Sequence, residues 1–258
     1  MRQGIWDRET IALLMIAALL PVAVAWALAA GPAAAVRFVL GLLTVAGWQL
    51  VFMLARAQPP SMSGVITAAA VAILAPPDLG TIPFLLGLSF GVVFGDLVFG
   101  GWGRNVLNPA TVALAFLGFG FPAAPWPDLP AQLGWAAVPA ALLGAALGLF
   151  SARLLAGAAL VFGAACWIEP ALREGATAFV AVLVLLVADP VASAGTRFGR
   201  WGNGALYAGL AVLFALAWSG AAPVQAAVAA ALAASLAAPL LDEIAIAAWV
   251  ARRRRRHG

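Results

Sequence analysis

An all-α polytopic membrane protein of about ten transmembrane helices, built as two inverted five-helix repeats with broken or short helices, is the fold that three observations predict. First, 65% of the 258 residues are hydrophobic and only 9% are charged, with a mean hydropathy of +1.05; so few polar groups cannot cover a water-facing surface. Second, apolar runs recur along the whole chain. Third, two stretches rich in Gly, Pro, Asn and hydroxyl residues interrupt them, and the end of the third run resembles the end of the eighth.

The runs fall at about 10–30, 36–55, 62–75, 82–99, 107–121, 134–150, 152–167, 176–188, 204–218 and 222–241. The first, after Arg2 to Thr10, is read as a retained span because no small-residue cleavage site leads from it into a polar domain. The segments at 62, 107 and 176 are shorter than the roughly 20 residues a straight span needs, which predicts broken, buried or re-entrant helices. All 14 basic residues are arginine. Starting inside, a ten-span chain keeps Arg2, Arg8, Arg56, Arg104, Arg153, Arg197, Arg200 and Arg252 to Arg256 on the cytoplasmic side, twelve against Arg37 and Arg173 outside. Asp78, Asp128, Glu169 and Glu174 then fall in outer loops, so the positive-inside rule supports the even count and cytoplasmic termini in a bacterial-type inner membrane. The chain reads as one membrane domain, 1–258, with halves 1–125 and 126–251 and a basic tail 252–258. Five consecutive arginines after a span fix topology or touch anionic lipid headgroups rather than nucleic acid.

The missing residues exclude some chemistry. Cys166 is the sole cysteine and His257 the sole histidine, so this chain alone cannot hold a four-thiolate iron–sulfur cluster, a bis-histidine haem or a histidine-rich metal site. It has no GxxxxGK[ST] loop for nucleotide hydrolysis. Electron transfer through this chain therefore requires an organic cofactor.

The first interruption is Gly95-Asp-Leu-Val-Phe-Gly-Gly-Trp-Gly-Arg-Asn-Val-Leu-Asn-Pro-Ala110. Glycines 100, 101 and 103 permit backbone that other residues obstruct. Asn108 is a natural N-cap and Pro109 a natural first helical residue, leaving a weakly positive helix start. That arrangement suits a phosphate, a ring edge or an anion, or simply makes a tight cytoplasmic turn. Asp96, next to an apolar run, is a candidate for ion or charge coupling, or a partner for Arg104. The second interruption runs from Ala188 to Gly204. There Asp189 ends a helix where a negative charge is poorly placed, so a cation or donor such as Arg197 or Arg200 is expected beside it. Asp189, Ser193 and Thr196 together can hydrogen-bond a polar ligand, or form an internally satisfied turn. Asp242 and Glu243 are expected to pair with the arginine tail or to be solvated.

Ile73-Leu-Ala-Pro-Pro77 resembles Leu186-Val-Ala-Asp-Pro190, an offset of 113 residues that relates the third and eighth spans and predicts the inverted repeat. Trp102-Gly103 against Trp201-Gly202 suggests a conflicting offset of 99; the helix-end match is preferred.

Ser63-Gly-Val-Ile-Thr-Ala68 with Pro76-Pro77, Gly91 through Ala110, and Ala188-Asp-Pro-Val-Ala-Ser193 resemble, in content and order, the NqrB/RnfD family of membrane subunits of the Na⁺-translocating NADH:quinone reductase and the Rnf electron transport complex. The resemblance implies a flavin-linked electron-transfer subunit, with FMN esterified to a threonine of an S/T-G-A-T motif or riboflavin bound without a covalent link. Its partners would be other subunits of the complex, a cytoplasmic electron donor protein and quinone or a periplasmic carrier. Two departures matter. Asp96 stands where family members usually carry lysine, and residues 118–134, where the FMN threonine belongs, contain no serine or threonine. Glu174-Gly-Ala-Thr177 reads like the attachment sequence but precedes the eighth span, so Thr177 is a secondary candidate for covalent flavin and a noncovalent flavin between the halves is the main expectation. Gly101, Gly103, Asn105, Asn108, Thr111, Asp189, Ser193 and Thr196 are its expected contacts, with Trp102 and Trp201 stacking on the ring or anchoring at the interface. A non-redox transporter, with Asp96 and Asp189 as coupling carboxylates, and a cofactor-less scaffold subunit are the alternatives.

Overall fold

A computed structural model of the chain describes residues 7–257. Arg2 and the side chains of Arg255, Arg256 and His257, invoked above for topology and the basic tail, lie outside the described residues. The described residues form ten α-helices and no strand: α1 (Arg8–Ala30), α2 (Pro32–Arg56), α3 (Ser63–Leu74), α4 (Thr81–Gly95), α5 (Pro109–Gly120), α6 (Ala131–Ala146), α7 (Ala152–Ile168), α8 (Ala176–Val182), α9 (Arg197–Ala217) and α10 (Pro223–His257). By length and composition, five helical segments can cross a membrane: Arg8–Ala30, Pro32–Arg56, Thr81–Phe99, Pro170–Val187 and Pro223–Arg254. Four more apolar helices, α3, α5, α6 and α7, have 12 to 17 residues.

Local chemistry explains most boundaries. Asp7 caps α1 by accepting from Thr10 N at 2.7 Å, Ser151 caps α7 and Thr196 caps α9. Gly31, at a φ of 64°, and Pro32 at the first turn of α2 make the hairpin between the two N-terminal helices. Helix α8 widens into a π segment, Leu183–Val187, in which Ala188 N donates to Leu183 O at 2.8 Å, and Pro190 prevents its continuation.

Helix α3, the π segment and most of α8 are buried. Helix α3 packs against α1, α2 and α5, and α8 packs against α6 and α10. Around them α1 packs on α6, α2 on α4, α4 on α5, α7 on α9, α9 on α10 and α5 on α10. Close approach uses glycine. Gly87, Gly91 and Gly95 form one stripe of α4 against α5, where a methyl at Gly95 would lie 2.8 Å from Pro109 Cα and one at Gly91 would run into the Pro109 carbonyl. Outside, large apolar side chains point away from the protein: Leu28, Phe119, Trp167 and Ile168 are each more than four-fifths exposed. Such a surface is stable only in an apolar surround.

Two boundaries depart from the sequence reading, and one is that α10 continues as a single helix to His257, past the end of the last apolar run at about 241 and into the basic tail. The second interruption ends at Thr196 rather than Gly204, because α9 begins at Arg197 and takes in Gly199, Gly202 and Gly204. Those glycines serve packing: a side chain at Gly204 would strike the Leu154 carbonyl of α7.

Candidate functional site

The N-cap of α5 joins the two interruptions. Asn108 Oδ1 accepts from Ala110 N at 2.9 Å and Thr111 N at 3.2 Å, which satisfies two free amides of the helix start. This orients Nδ2 away from the helix, where it donates to Asp189 Oδ2 at 2.9 Å. The other carboxylate oxygen, Asp189 Oδ1, accepts from Val191 N at 2.9 Å, and the Asp189 carbonyl accepts from Ser193 N at 3.1 Å. Asn108 and Asp189 are 6% and 4% exposed, so residues 81 apart in sequence share a charge-assisted hydrogen bond inside the protein. The donor beside Asp189 is thus Asn108. Arg200 donates instead to the Ala194 carbonyl, and Arg197 is exposed.

Met15, Ser63, Ile66, Thr67, Trp102, Pro109, Val184 and Leu185 close around this pair, leaving about 10 Å³, room for one water at most. Sequence reading passed over Ser63 and Thr67 as site residues, although hydroxyls within the apolar run of α3 were the available signal. Trp102 is buried here, and its carbonyl accepts from Arg8 Nη1 at 3.2 Å. It is therefore no interfacial anchor, whereas Trp201 is 40% exposed.

The other expected contacts divide among different places. Gly100, Gly101 and Gly103 have φ of 103°, 90° and 97°, which side-chain-bearing residues rarely adopt, and they let the first interruption fold back on itself. Within that turn Asn105 Oδ1 accepts from Gly103 N at 3.1 Å and Asn105 Nδ2 donates to Leu107 O at 2.9 Å, so its amide is spent on the loop. Thr111 Oγ1 is fully buried without a partner, and so is Asp96 Oδ1. Asp96 does not pair with Arg104: among the described residues the only ion pair within 4 Å joins Arg8 and Glu9, and Arg104 lies over Gly100. Ser193 is half-buried beside Asp189. Thr196 is committed elsewhere, because its backbone N and Oγ1 both donate to Asp242 Oδ1, at 2.9 and 2.6 Å, while Gly195 N donates to Oδ2 at 2.7 Å. Asp242 therefore ties α10 to the second interruption rather than pairing with the arginine tail. Thr177 starts α8, about 18 Å from Asp189 at 1.5 Å per residue, and packs against Gly134 of α6.

Larger spaces lie away from the Asn108–Asp189 pair. A groove of about 840 Å³ opens between the α1–α2 hairpin, the end of α3, the start of α4 and residues 127–130; its walls include Trp26, Arg37, Thr81, Phe84 and Asp128. Arg37 Nη2 and Nη1 donate to the Pro76 and Pro77 carbonyls at 2.7 and 3.3 Å, and its guanidinium lies 4.8 Å from the Phe84 ring centre. A second space, about 600 Å³, separates the start of α9 from the far end of α10.

Comparison with known proteins assigns the lineage. The family described as NQR2, RnfD, RnfE matches residues 6–146. One Na(+)-translocating NADH-quinone reductase subunit, from Azotobacter vinelandii, is 31% identical over 172 residues, covering 66% of this chain and 40% of that protein. Its namesake from Stutzerimonas stutzeri is 39% identical over 92 residues, 36% of this chain and 22% of the relative. That from Yersinia pestis is 42% identical over 76 residues, 30% and 18% of the two chains. The matched parts thus span well under half the length of these relatives. The matched region holds the first interruption and its Asn108 cap, and because the match covers more than half of the chain, this protein belongs to the NQR2, RnfD, RnfE family.

Proposed function

We propose that this chain is an integral membrane subunit of an Nqr- or Rnf-like electron transport complex, working with other membrane subunits, a cytoplasmic electron donor protein and quinone. The observation that carries the reading is the buried Asn108–Asp189 bond, which joins the two sequence segments of the family resemblance at one point between the halves. Helix pairing supports an inverted repeat. Exchanging α1–α5 for α6–α10 maps the contact of α2 with α4 onto α7 with α9, α4–α5 onto α9–α10, α1–α3 onto α6–α8 and α3–α5 onto α8–α10, while α1–α6 and α5–α10 map onto themselves. With five helices per half, the halves run in opposite senses across the bilayer, and the arginine distribution supports cytoplasmic termini.

The cofactor of this reading is a flavin, which when bound supplies one- and two-electron transfer. The space at Asn108 and Asp189 does not accept one in this packing: ligand pockets of this kind measure roughly 300–1,000 Å³, against about 10 Å³ there. Asn105, Asn108, Asp189 and Thr196 also have their polar atoms engaged within the protein. The groove beside Arg37 has the required size, with Trp26 and Phe84 as aromatic walls and Arg37, Thr81 and Asp128 as polar contacts. On this reading the groove holds the flavin, and Asn108 and Asp189 hold the halves in register.

The test is the visible absorption of detergent-purified protein before and after acid precipitation. Flavin released to the supernatant from the wild type, absent from Arg37→Ala and retained in Asp189→Asn, supports the groove. The reverse pattern returns the flavin to the interruptions, and colour kept in the pellet and lost in Thr177→Ala assigns a covalent flavin to Thr177. A preparation that stays colourless after incubation with riboflavin or FMN refutes the flavin reading and favours a transporter or a scaffold subunit.

A further inference from the structure

Helix α10 has 35 residues and is about 52 Å long, whereas the hydrocarbon core of a bilayer is about 30 Å thick. Its first twenty residues end at Asp242, where the Gly195–Thr196 turn meets it. Trp249 lies about 10 Å further on and the arginines follow. This protruding end stands beside the first turn of α9 across the 600 Å³ cleft.

The cleft has two kinds of wall. Phe198, Ile246 and Trp249 are apolar yet 65%, 47% and 57% exposed. Arg197, Arg252 and Arg253 line the same space, and Arg253 lies 5.3 Å from the Trp249 ring centre. None of these arginines belongs to the one ion pair among the described residues. The nearby acids do not neutralise them: Asp242 is occupied by Gly195 and Thr196, and neither Asp242 nor Glu243 lines the cleft.

We propose that this cleft binds the headgroup of an anionic phospholipid from the leaflet on the arginine-rich side. The guanidinium groups of Arg197, Arg252 and Arg253 receive the phosphate, and Phe198, Ile246 and Trp249 cover the glycerol and the first acyl carbons. Depth and wall chemistry select a lipid. Ile246 and Trp249 lie one to two helical turns beyond those twenty residues and Arg252 about three, the depth at which tryptophan and then the long reach of arginine favour the headgroups. An acidic protein would satisfy the arginines and leave the exposed apolar wall unmatched. A phosphate off the membrane would do the same. The inference stands apart from the redox reading.

Native mass spectrometry of the detergent-purified full chain with phosphatidylglycerol or phosphatidylcholine of identical acyl chains tests it. The wild type is expected to retain phosphatidylglycerol about tenfold more, a preference of about 1.4 kcal/mol. The Arg197→Gln/Arg252→Gln/Arg253→Gln variant loses that preference, and the corresponding triple lysine variant keeps most of it. These side chains are exposed, so an unchanged melting temperature is the control for folding. Excess inorganic phosphate leaves the bound lipid in place. Equal retention of the two lipids by the wild type, or equal phosphatidylglycerol retention by wild type and glutamine variant, overturns the proposal. So does displacement by inorganic phosphate. A wild type with no lipid preference that holds an acidic protein through the same arginines would overturn it in favour of a protein interface.

Discussion

Replacing Asn108 by alanine removes three hydrogen bonds at once, and their separate values make a quantitative prediction. The two bonds that cap α5 are worth about 1 kcal/mol together, within a range of roughly 0.5–2. The third leaves Asp189 Oδ2 buried without its donor, and loss of a hydrogen bond to a buried charged group costs about 1.5–3 kcal/mol. The expected total is about 2.5–4 kcal/mol, read as the shift in equilibrium unfolding in mixed micelles. Asn108→Ser separates the parts, because its hydroxyl caps α5 but is too short to reach Asp189 as the amide does; it should cost about 2 kcal/mol. Asp189→Asn keeps one side-chain oxygen, enough for Val191 N, and sets its NH2 against the Asn108 amide donor, so it should cost about 1–3 kcal/mol. In the double variant Asn108→Ala/Asp189→Asn no buried charge is left unpaired, so the combined cost should fall below the sum of the singles by about 1–2 kcal/mol. An Asn108→Ala cost near 1 kcal/mol, or strict additivity in the double variant, would refute the view that this bond connects the halves.

Gly91→Ala should destabilise by about 1–3 kcal/mol, because the new methyl meets Pro109 O and Ala113, whereas Gly47→Ala, with nothing within 4 Å, should be neutral or stabilise α2 by up to about 1 kcal/mol; the same unfolding assay compares them. Asp242→Ala should cost about 2–4 kcal/mol and speed amide exchange at Gly195 and Thr196, measured by hydrogen–deuterium exchange, since three donors lose one carboxylate. Arg37→Gln should loosen the end of α3 at Pro76 and Pro77, seen as faster cleavage there by an added protease while the exchange rates of α9 stay unchanged.

The helices and the interruptions between them were legible in the sequence because lipid makes backbone irregularity costly, so Gly, Pro and Asn stand out against apolar runs. Asn108 and Pro109 announced the start of α5 through residue chemistry alone. The start of α9 was not legible, since Gly199, Gly202 and Gly204 look the same in a loop as in a helix whose neighbour, α7, comes close. Nor was the partner of Asp242. Ten residues of helix carry Arg252 about 15 Å from it, while the amides that bind it come from a turn 46 residues away. Trp102 misled for a related reason: nearness in sequence to a span end says nothing about whether the following loop folds back into the protein. The small volume around Asn108 and Asp189 depends on side chains from α1, α3, α5 and the π segment together, and no local pattern encodes it.

The π segment at Leu183–Val187 amounts to one residue more than an α-helix needs to cover the same rise. Each residue of an α-helix turns the chain by about 100°, and the wider π turn absorbs one such step, so it sets the compass bearing at which the helix delivers Asp189. The same five residues wound as ordinary α-helix would swing the carboxylate away from Asn108 by about that angle, whereas excising one of them would leave a regular helix with Asp189 near its present bearing. A substitution there changes a side chain; a change of winding there re-aims the second half of the protein at the first.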